Sequence, residues 1–330
     1  MTSSYYNVVG RTGGAVDYKL ALDEEVEKDP IVSSIIPETI SECSLVAEGK
    51  GTNHCMSKGT LQRIGKELNI KGDVITNAKK KLGCDSEKCI LHKLEDELGD
   101  KVVKRELLEN YKIKGPTDTK LLNNINIDTI LKQWMLSNKE FFAYNFNMID
   151  YAKHRIENGE VLDEPDTLAT INFKDLYEKG YRCAACVINT DKSDGNGKHW
   201  MALFADTRTK PWTIEFFNSS GNLPAIEWVN WQVKTKSQME SIQGAATPTI
   251  IKVCDIRHQK SKSECGLYAL FYIYSRLNKI SYKYFKENPV PDQIMFEFRQ
   301  HLFNDGSNVL SGNKFNFEEY QKKVAIKWES

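Results

Sequence analysis

The chain has 330 residues, enough for one sizeable core with an accessory part, or for two domains. Its 40% hydrophobic and 27% charged residues are ordinary for a globular protein. Lys+Arg equals Asp+Glu at 45 each, which argues against a surface built for phosphate backbones and implies no nucleic-acid requirement.

No apolar run is long enough to span a bilayer, so no membrane insertion is expected, and the N-terminal stretch does not read as a secretory signal. Eight cysteines (43, 55, 84, 89, 183, 186, 254 and 265) are accordingly read as reduced thiols.

Residues 1–40 mix Gly, Ser and Thr with an acidic run (Asp23, Glu24, Glu25, Glu27, Asp29) and are expected to form a flexible tail. Residues 41–116 read as a helical arm. Leu61, Ile64 and Leu68 recur at helical spacing, as do Leu91, Leu94 and Leu98. Gly115-Pro116 then marks a boundary, with the core over 117–303 and a polar C-terminal extension over 304–330.

Within the core a helix is expected over 125–142, opened by Asp128 as N-cap. Strand-like runs follow at 183–189, 199–206, 212–218 and 249–256. Both alternating sets in the second run are apolar (Trp200, Ala202, Phe204 and Met201, Leu203, Ala205), which fits a central strand covered on both faces. A helix from Pro224 should bury Ile226, Val229 and Val233. Another starts at Cys265 and is apolar nearly all round, so buried. A last helix spans Asp292–Phe303 with Met295, Phe298 and Leu302 aligned.

A thiol attacks a carbonyl as thiolate, which calls for a base and a helix N-terminus. Cys265 precedes Gly266 and the apolar helix, so its sulfur should sit at the positive end of the dipole, with its pKa lowered and space beside Gly266 for a substrate backbone. Taken alone it also reads as one more buried cysteine in a core helix. Six histidines are candidate bases: His54, His92, His154, His199, His258 and His301. His199 follows a Gly-rich turn and opens the buried strand, while His258 competes and His301 reads as structural. Asn218 ends the next strand, where its carbonyl could hold an imidazole tautomer. It also reads as the start of the turn NSSGN. Gln259, six residues before Cys265, could donate to an oxyanion together with the Cys265 N–H, or be a plain loop residue.

GKHW around His199, EFFNSSGN around Asn218 and RHQKSKSECGLY around Cys265 resemble the adenain- and Ulp1-related clan of cysteine proteases. With LGCDSEKC, NINIDTILKQW and FRQHLF, the likeness is greatest to the African swine fever virus-type, SUMO-1-like, polyprotein-processing members, over roughly residues 40–303.

That resemblance implies an α+β, papain-like core with a central mixed sheet packed by helices, and an N-terminal helical arm. It places the catalytic His, Asn and Cys on His199, Asn218 and Cys265, the oxyanion-hole Gln on Gln259, and substrate contacts on Trp200 and Asn189. It implies no cofactor, cleavage after Gly-Gly in viral structural polyproteins during virion maturation, and residence at assembly sites in the host cytoplasm and in the virion.

Three rival readings stand beside this one. The first is a zinc or redox site on Cys183-x-x-Cys186, on Cys84 and Cys89, or on Cys43, His54 and Cys55. The second is a Gly-Gly-specific deubiquitinating or deSUMOylating isopeptidase. The third is an inert peptidase-like binding module. The tail also carries Arg11-Thr12-Gly13-Gly14-Ala15, read as a flexible linker or as a self-processing site.

Overall fold

The computed structural model describes residues 29–48, 53–152, 155–157, 160–162, 167–305, 313–314, 316 and 319. The Gly13-Gly14-Ala15 segment, His154 and most of the C-terminal extension lie outside these residues. The N-terminal part runs α1 (Pro30–Ile35), β1 (Thr39–Ile40), α2 (Leu45–Glu48), α3 (Lys58–Glu67), α4 (Val74–Leu82), α5 (Glu87–Lys93), α6 (Glu95–Leu98), α7 (Asp100–Asn110) and β2 (Ile113–Lys114). The core continues through α8 (Asn124–Ser137), β3 (Phe141–Ala143), β4 (Arg155–Glu157), β5 (Glu160–Leu162), α9 (Phe173–Glu178), β6 (Cys183–Asn189), β7 (Trp200–Asp206) and β8 (Thr213–Phe217). It closes with α10 (Ile226–Glu240), β9 (Thr249–Val253), α11 (Cys265–Leu277), α12 (Tyr282–Glu287), α13 (Asp292–Leu302), β10 (Phe303–Asn304) and β11 (Asn313–Lys314).

The main sheet has the order β3-β6-β7-β8-β9 and is mixed: the two outer pairings are parallel and the two inner ones antiparallel. The period-2 geometry of a strand explains the doubly apolar β7. Ala202 and Phe204 face one core with α8, α11 and α13. Met201, Leu203 and Ala205 face a second core that includes Trp228, Trp231 and Met239 of α10. The expected α+β core, a mixed sheet between helices, is therefore present.

Several local readings are corrected. The helix before β3 is capped by Asn123 in a capping box with Asn126, not by Asp128. Asp128 lies inside α8, where its carboxylate accepts the Phe146 N–H at 2.8 Å, and burial lifts its pKa to about 6. That helix stops at Ser137, and Phe141–Ala143 become the edge strand β3. On α10 the buried set is Trp228, Trp231, Gln232, Thr235 and Met239, and Ile226 and Val233 point outward. Larger apolar area drives that choice: burying two tryptophans removes more surface from water than burying Ile226 and Val233.

The arm has its own small core of Ile64, Leu68, Ala78, Ile90, Leu91, Leu94, Leu98 and Val103. Two disulfides lie here, Cys43–Cys55 and Cys84–Cys89, so the reduced-thiol reading is corrected for these four residues. Neither spacing announces a pair, because pairing depends on how the helices bring the Cα atoms together. Cys183, Cys186, Cys254 and Cys265 are free and buried.

Residues expected in the flexible tail also join the core. Val32, Ile35 and Ile36 belong to the same core cluster as Leu267, Phe271 and Phe298. The described residues thus pass from the core at α1 into the arm and back to the core. At the neck the two passages are hydrogen-bonded: Ser44 N–H donates to Asn110 O (2.9 Å) and Lys112 N–H to Glu42 O (3.1 Å). β2 then pairs in parallel with β10. Gly115 is required there, since a Cβ would lie 2.3 Å from the Phe303 ring. Among the described residues no helix is long and apolar enough to cross a membrane.

Candidate active site

Strand register brings the site together. β7 and β8 are antiparallel, with Ala202 opposite Phe217, so His199 just before β7 and Asn218 just after β8 meet at one end of the sheet. His199 Nε2 lies 2.7 Å from Asn218 Oδ1. The amide orientation is fixed by its other partners. Asn218 Nδ2 donates to Asn222 O, and Oδ1 accepts from both the N–H and the hydroxyl of Ser220. Oδ1 is therefore an acceptor, Nε2 carries the proton, and the lone pair of the imidazole is on Nδ1. Gly221, at φ +77°, supplies the left-handed residue that closes this turn.

Cys265 opens α11, as expected, and is 3% exposed. Its helix packs on β7, where a Cβ on Gly266 would lie 3.4 Å from Trp200, the residue after His199. Burial pushes the thiol above its ordinary value, outweighing the backbone N–H groups of Trp200, Gly266 and Cys265, which favour the thiolate. Burial likewise lowers His199 below its ordinary value, against the lift from Asn218. The expected low-pKa thiolate is thus corrected. Both directions favour the uncharged forms, a thiol and a neutral imidazole, over an ion pair. The sequence shows the helix end but not the depth of burial.

Gln259 is held at both ends of its amide. Ser219 Oγ donates to Oε1 (2.9 Å), and Nε2 donates to Ser261 O (3.0 Å). Nε2 has two protons, so one N–H is left for another acceptor.

Trp200 is half-buried. Its Nε1–H donates to Leu122 O at 3.2 Å, and its ring meets Phe146 edge-on. A Cβ at Gly266 would lie 3.3 Å from Leu122 and 3.4 Å from Trp200, so those side chains would have to give by a few tenths of an ångström. On the side where a Cβ would point, Gly266 faces Leu122 and Trp200. Asn189, expected against the substrate, is fully buried. Its Oδ1 accepts the N–H groups of Asp191 (2.9 Å) and Lys198 (3.0 Å), so it shapes the loop that delivers His199. Its register opposite Trp200 places it beside the site without exposing it.

The competing histidines are placed elsewhere. His258 is buried among Phe217, Tyr268 and Phe285, its Nδ1 accepts the Val290 N–H, and burial lowers its pKa to about 4. His301 is buried with Nδ1 3.4 Å from Glu48 of α2. His54 and His92 lie in the arm.

Two buried ion networks, which sequence reading missed, hold the elements in register. Glu215 on β8 accepts from Tyr272 (2.6 Å) and from two nitrogens of Arg276 (2.8 Å each) on α11, locking the Asn218 strand to the Cys265 helix. Glu264, just before Cys265, pairs with Arg299 of α13 at 2.6 Å, both fully buried. Arg299 also donates to the carbonyls of Pro116 and Lys120. Only the apolar surroundings of these charges, visible in three dimensions, distinguish them from surface residues.

The metal readings meet a different geometry. Cys183 and Cys186 face opposite cores across β6 and cannot converge on one ion. The one donor cluster found among the described residues is Glu42, Cys55 and Glu87, and the Cys55 sulfur is bonded to Cys43.

A thiol at the start of a helix packed on the strand that an imidazole precedes, the tautomer of that imidazole fixed by an amide carbonyl, on a mixed sheet packed by helices, is the arrangement of a cysteine protease. Residues 182–312 match the model of the Ulp1 protease family, C-terminal catalytic domain. The chain belongs to this family of cysteine proteases. It is 35% identical over 277 residues to the SUMO-1 cysteine protease of African swine fever virus (isolate Tick/South Africa/Pretoriuskop Pr4/1996), covering 81% of this chain and 97% of the relative. The cysteine protease of isolate Tick/Malawi/Lil 20-1/1983 of the same virus is 36% identical with the same coverage. A crystal structure of the African swine fever virus protease matches with a TM-score of 0.61 at 32% identity, over 82% of this chain and 97% of that one.

Proposed function

We propose that this protease cleaves after Gly-Gly in viral structural polyproteins during virion maturation, acting at assembly sites in the host cytoplasm and in the virion. Cys265 is the nucleophile, His199 the base, Asn218 the residue that orients it and Gln259 an oxyanion donor. The observation that carries the reading is the 2.7 Å contact of His199 Nε2 with Asn218 Oδ1, at the end of the sheet on which the Cys265 helix packs. The African swine fever virus relatives support a protein substrate. The close packing of Leu122, Trp200 and Gly266 supports residues without side chains next to the scissile bond.

In the reaction, His199 Nδ1 takes the thiol proton as sulfur bonds to the carbonyl carbon. The oxyanion is met by the free Gln259 N–H and the Cys265 N–H. Collapse breaks the C–N bond, and the leaving amine takes the proton from Nδ1. Water, deprotonated by the same imidazole, then hydrolyses the thioester.

The test is cleavage of a peptide containing Gly-Gly-Xaa against its Ala-Gly-Xaa and Gly-Ala-Xaa counterparts, and of a ubiquitin-like fusion. Preference for the Gly-Gly peptide supports the proposal. Equal cleavage of all three peptides removes the Gly-Gly specificity, and action confined to the ubiquitin-like fusion moves the substrate to that class.

Two expected outcomes follow from these roles. Gln259→Ala should lower kcat by about 10²–10³, and an unchanged kcat would take the oxyanion role away from it. The pH profile should distinguish a neutral pair from an ion pair. Protonated His199 cannot accept the thiol proton. Its lowered pKa places the acid limb of kcat/KM below 6.5. A thiol held above its ordinary value leaves no second limb near neutrality, so activity should stay level through neutral pH. A bell-shaped profile falling near neutrality would contradict the neutral pair.

A further inference from the structure

The turn after β8 holds the imidazole partner and the amide of Gln259 through adjacent residues. Asn218 faces His199, and Ser219, 1% exposed, faces the other way. Ser219 grips Gln259 at two points. Its carbonyl accepts the Gln259 N–H at 3.0 Å, and its hydroxyl donates to Gln259 Oε1 at 2.9 Å. The same carbonyl accepts the His258 N–H at 2.9 Å, which fixes the backbone entering Gln259.

Gln259 has a flexible side chain, and its position matters only if one N–H points at a developing oxyanion. With the Ser219 hydroxyl in place, Oε1 is satisfied inside the protein and Nε2 stays on Ser261 O with its second N–H free. Without the hydroxyl, Oε1 is a buried acceptor lacking a donor. The side chain then gains by swinging Oε1 toward water, which carries the N–H away or turns an oxygen toward the oxyanion.

We propose that Ser219 is a positioning residue for turnover, acting through Gln259 and touching no reacting atom. The proposal rests on the reading of Gln259 as oxyanion donor.

The test uses the full chain and a Gly-Gly-Xaa peptide, with Ser219→Ala, Gln259→Ala and the double variant. Ser219→Ala is expected to lower kcat about 10–100-fold with KM changed less than about twofold, because the interaction forms in the transition state. In the double variant the Ser219 change should add nothing beyond Gln259→Ala, since its only route is gone. Ser219→Cys, which keeps a weak donor of similar size, should recover part of the rate, and it serves the same comparison if the alanine variant folds poorly.

Full kcat in Ser219→Ala, multiplying effects in the double variant, or a loss confined to KM would each overturn the proposal. Unchanged kcat in Gln259→Ala would overturn the oxyanion reading first and this proposal with it. A normal Gln259→Ala loss beside an unaffected Ser219→Ala would overturn this proposal alone.

Discussion

Cys265→Ala is expected to lower turnover by about 10⁵–10⁶ while the protein remains folded. The size follows from the chemistry. No other sulfur or hydroxyl is assigned to the attack, and His199 would be left with no proton to take. The fold should survive because only one sulfur is removed at the first turn of a helix whose packing rests on Leu267, Phe271 and Ile273. The loss of stability should be about 1 kcal/mol or less. Thermal melting and single-turnover assays on the same preparation check both halves. Residual turnover within about tenfold of the parent would sink the nucleophile assignment.

Arg299→Met should have the largest effect on stability, about 3–5 kcal/mol at neutral pH. The substitution keeps an apolar stem but leaves Glu264 fully buried with only the Ser263 hydroxyl donating to it. It also removes the donors that Arg299 gives to Pro116 and Lys120. Urea unfolding with unchanged slope measures the loss. Adding Glu264→Gln should restore part of it, because the uncompensated charge is the main cost. A loss under about 1 kcal/mol would show that water reaches Glu264.

Much of the core was legible because its signals are local. The doubly apolar β7 announced a central strand, and the unbroken apolar run after Cys265 announced a buried helix. His199, Asn218 and Cys265 sit at element ends, where a change of periodicity marks a position even without contacts. What was not legible depends on partners distant in sequence. Asn189 is a substrate contact by resemblance, yet it turns inward to bind the backbone of the loop before His199. The Cys43 and Cys84 pairings, the outward face of α10 and the Glu264–Arg299 pair are all decided by packing across elements. The raised pKa of Cys265 is a matter of depth, which no short motif contains.

The hydrogen-bonded neck has a practical consequence. Because α1 belongs to the core and the two passages meet at Ser44–Asn110 and Glu42–Lys112, the arm is topologically an insertion. Truncation before residue 117 would strip Val32, Ile35 and Ile36 from the core, so its failure would say nothing about the arm. Excision is the informative cut: joining residue 48 to residue 111 through a short Gly-Ser bridge keeps α1, keeps Leu45 in the core and Glu48 beside His301, and replaces one closed loop by a shorter one. The cost of closing a loop falls only slowly with its length, so this junction changes the unfolded chain little. An excised protease that melts cooperatively and cleaves short peptides, but handles folded substrates poorly, would give the arm a role in capture separable from catalysis.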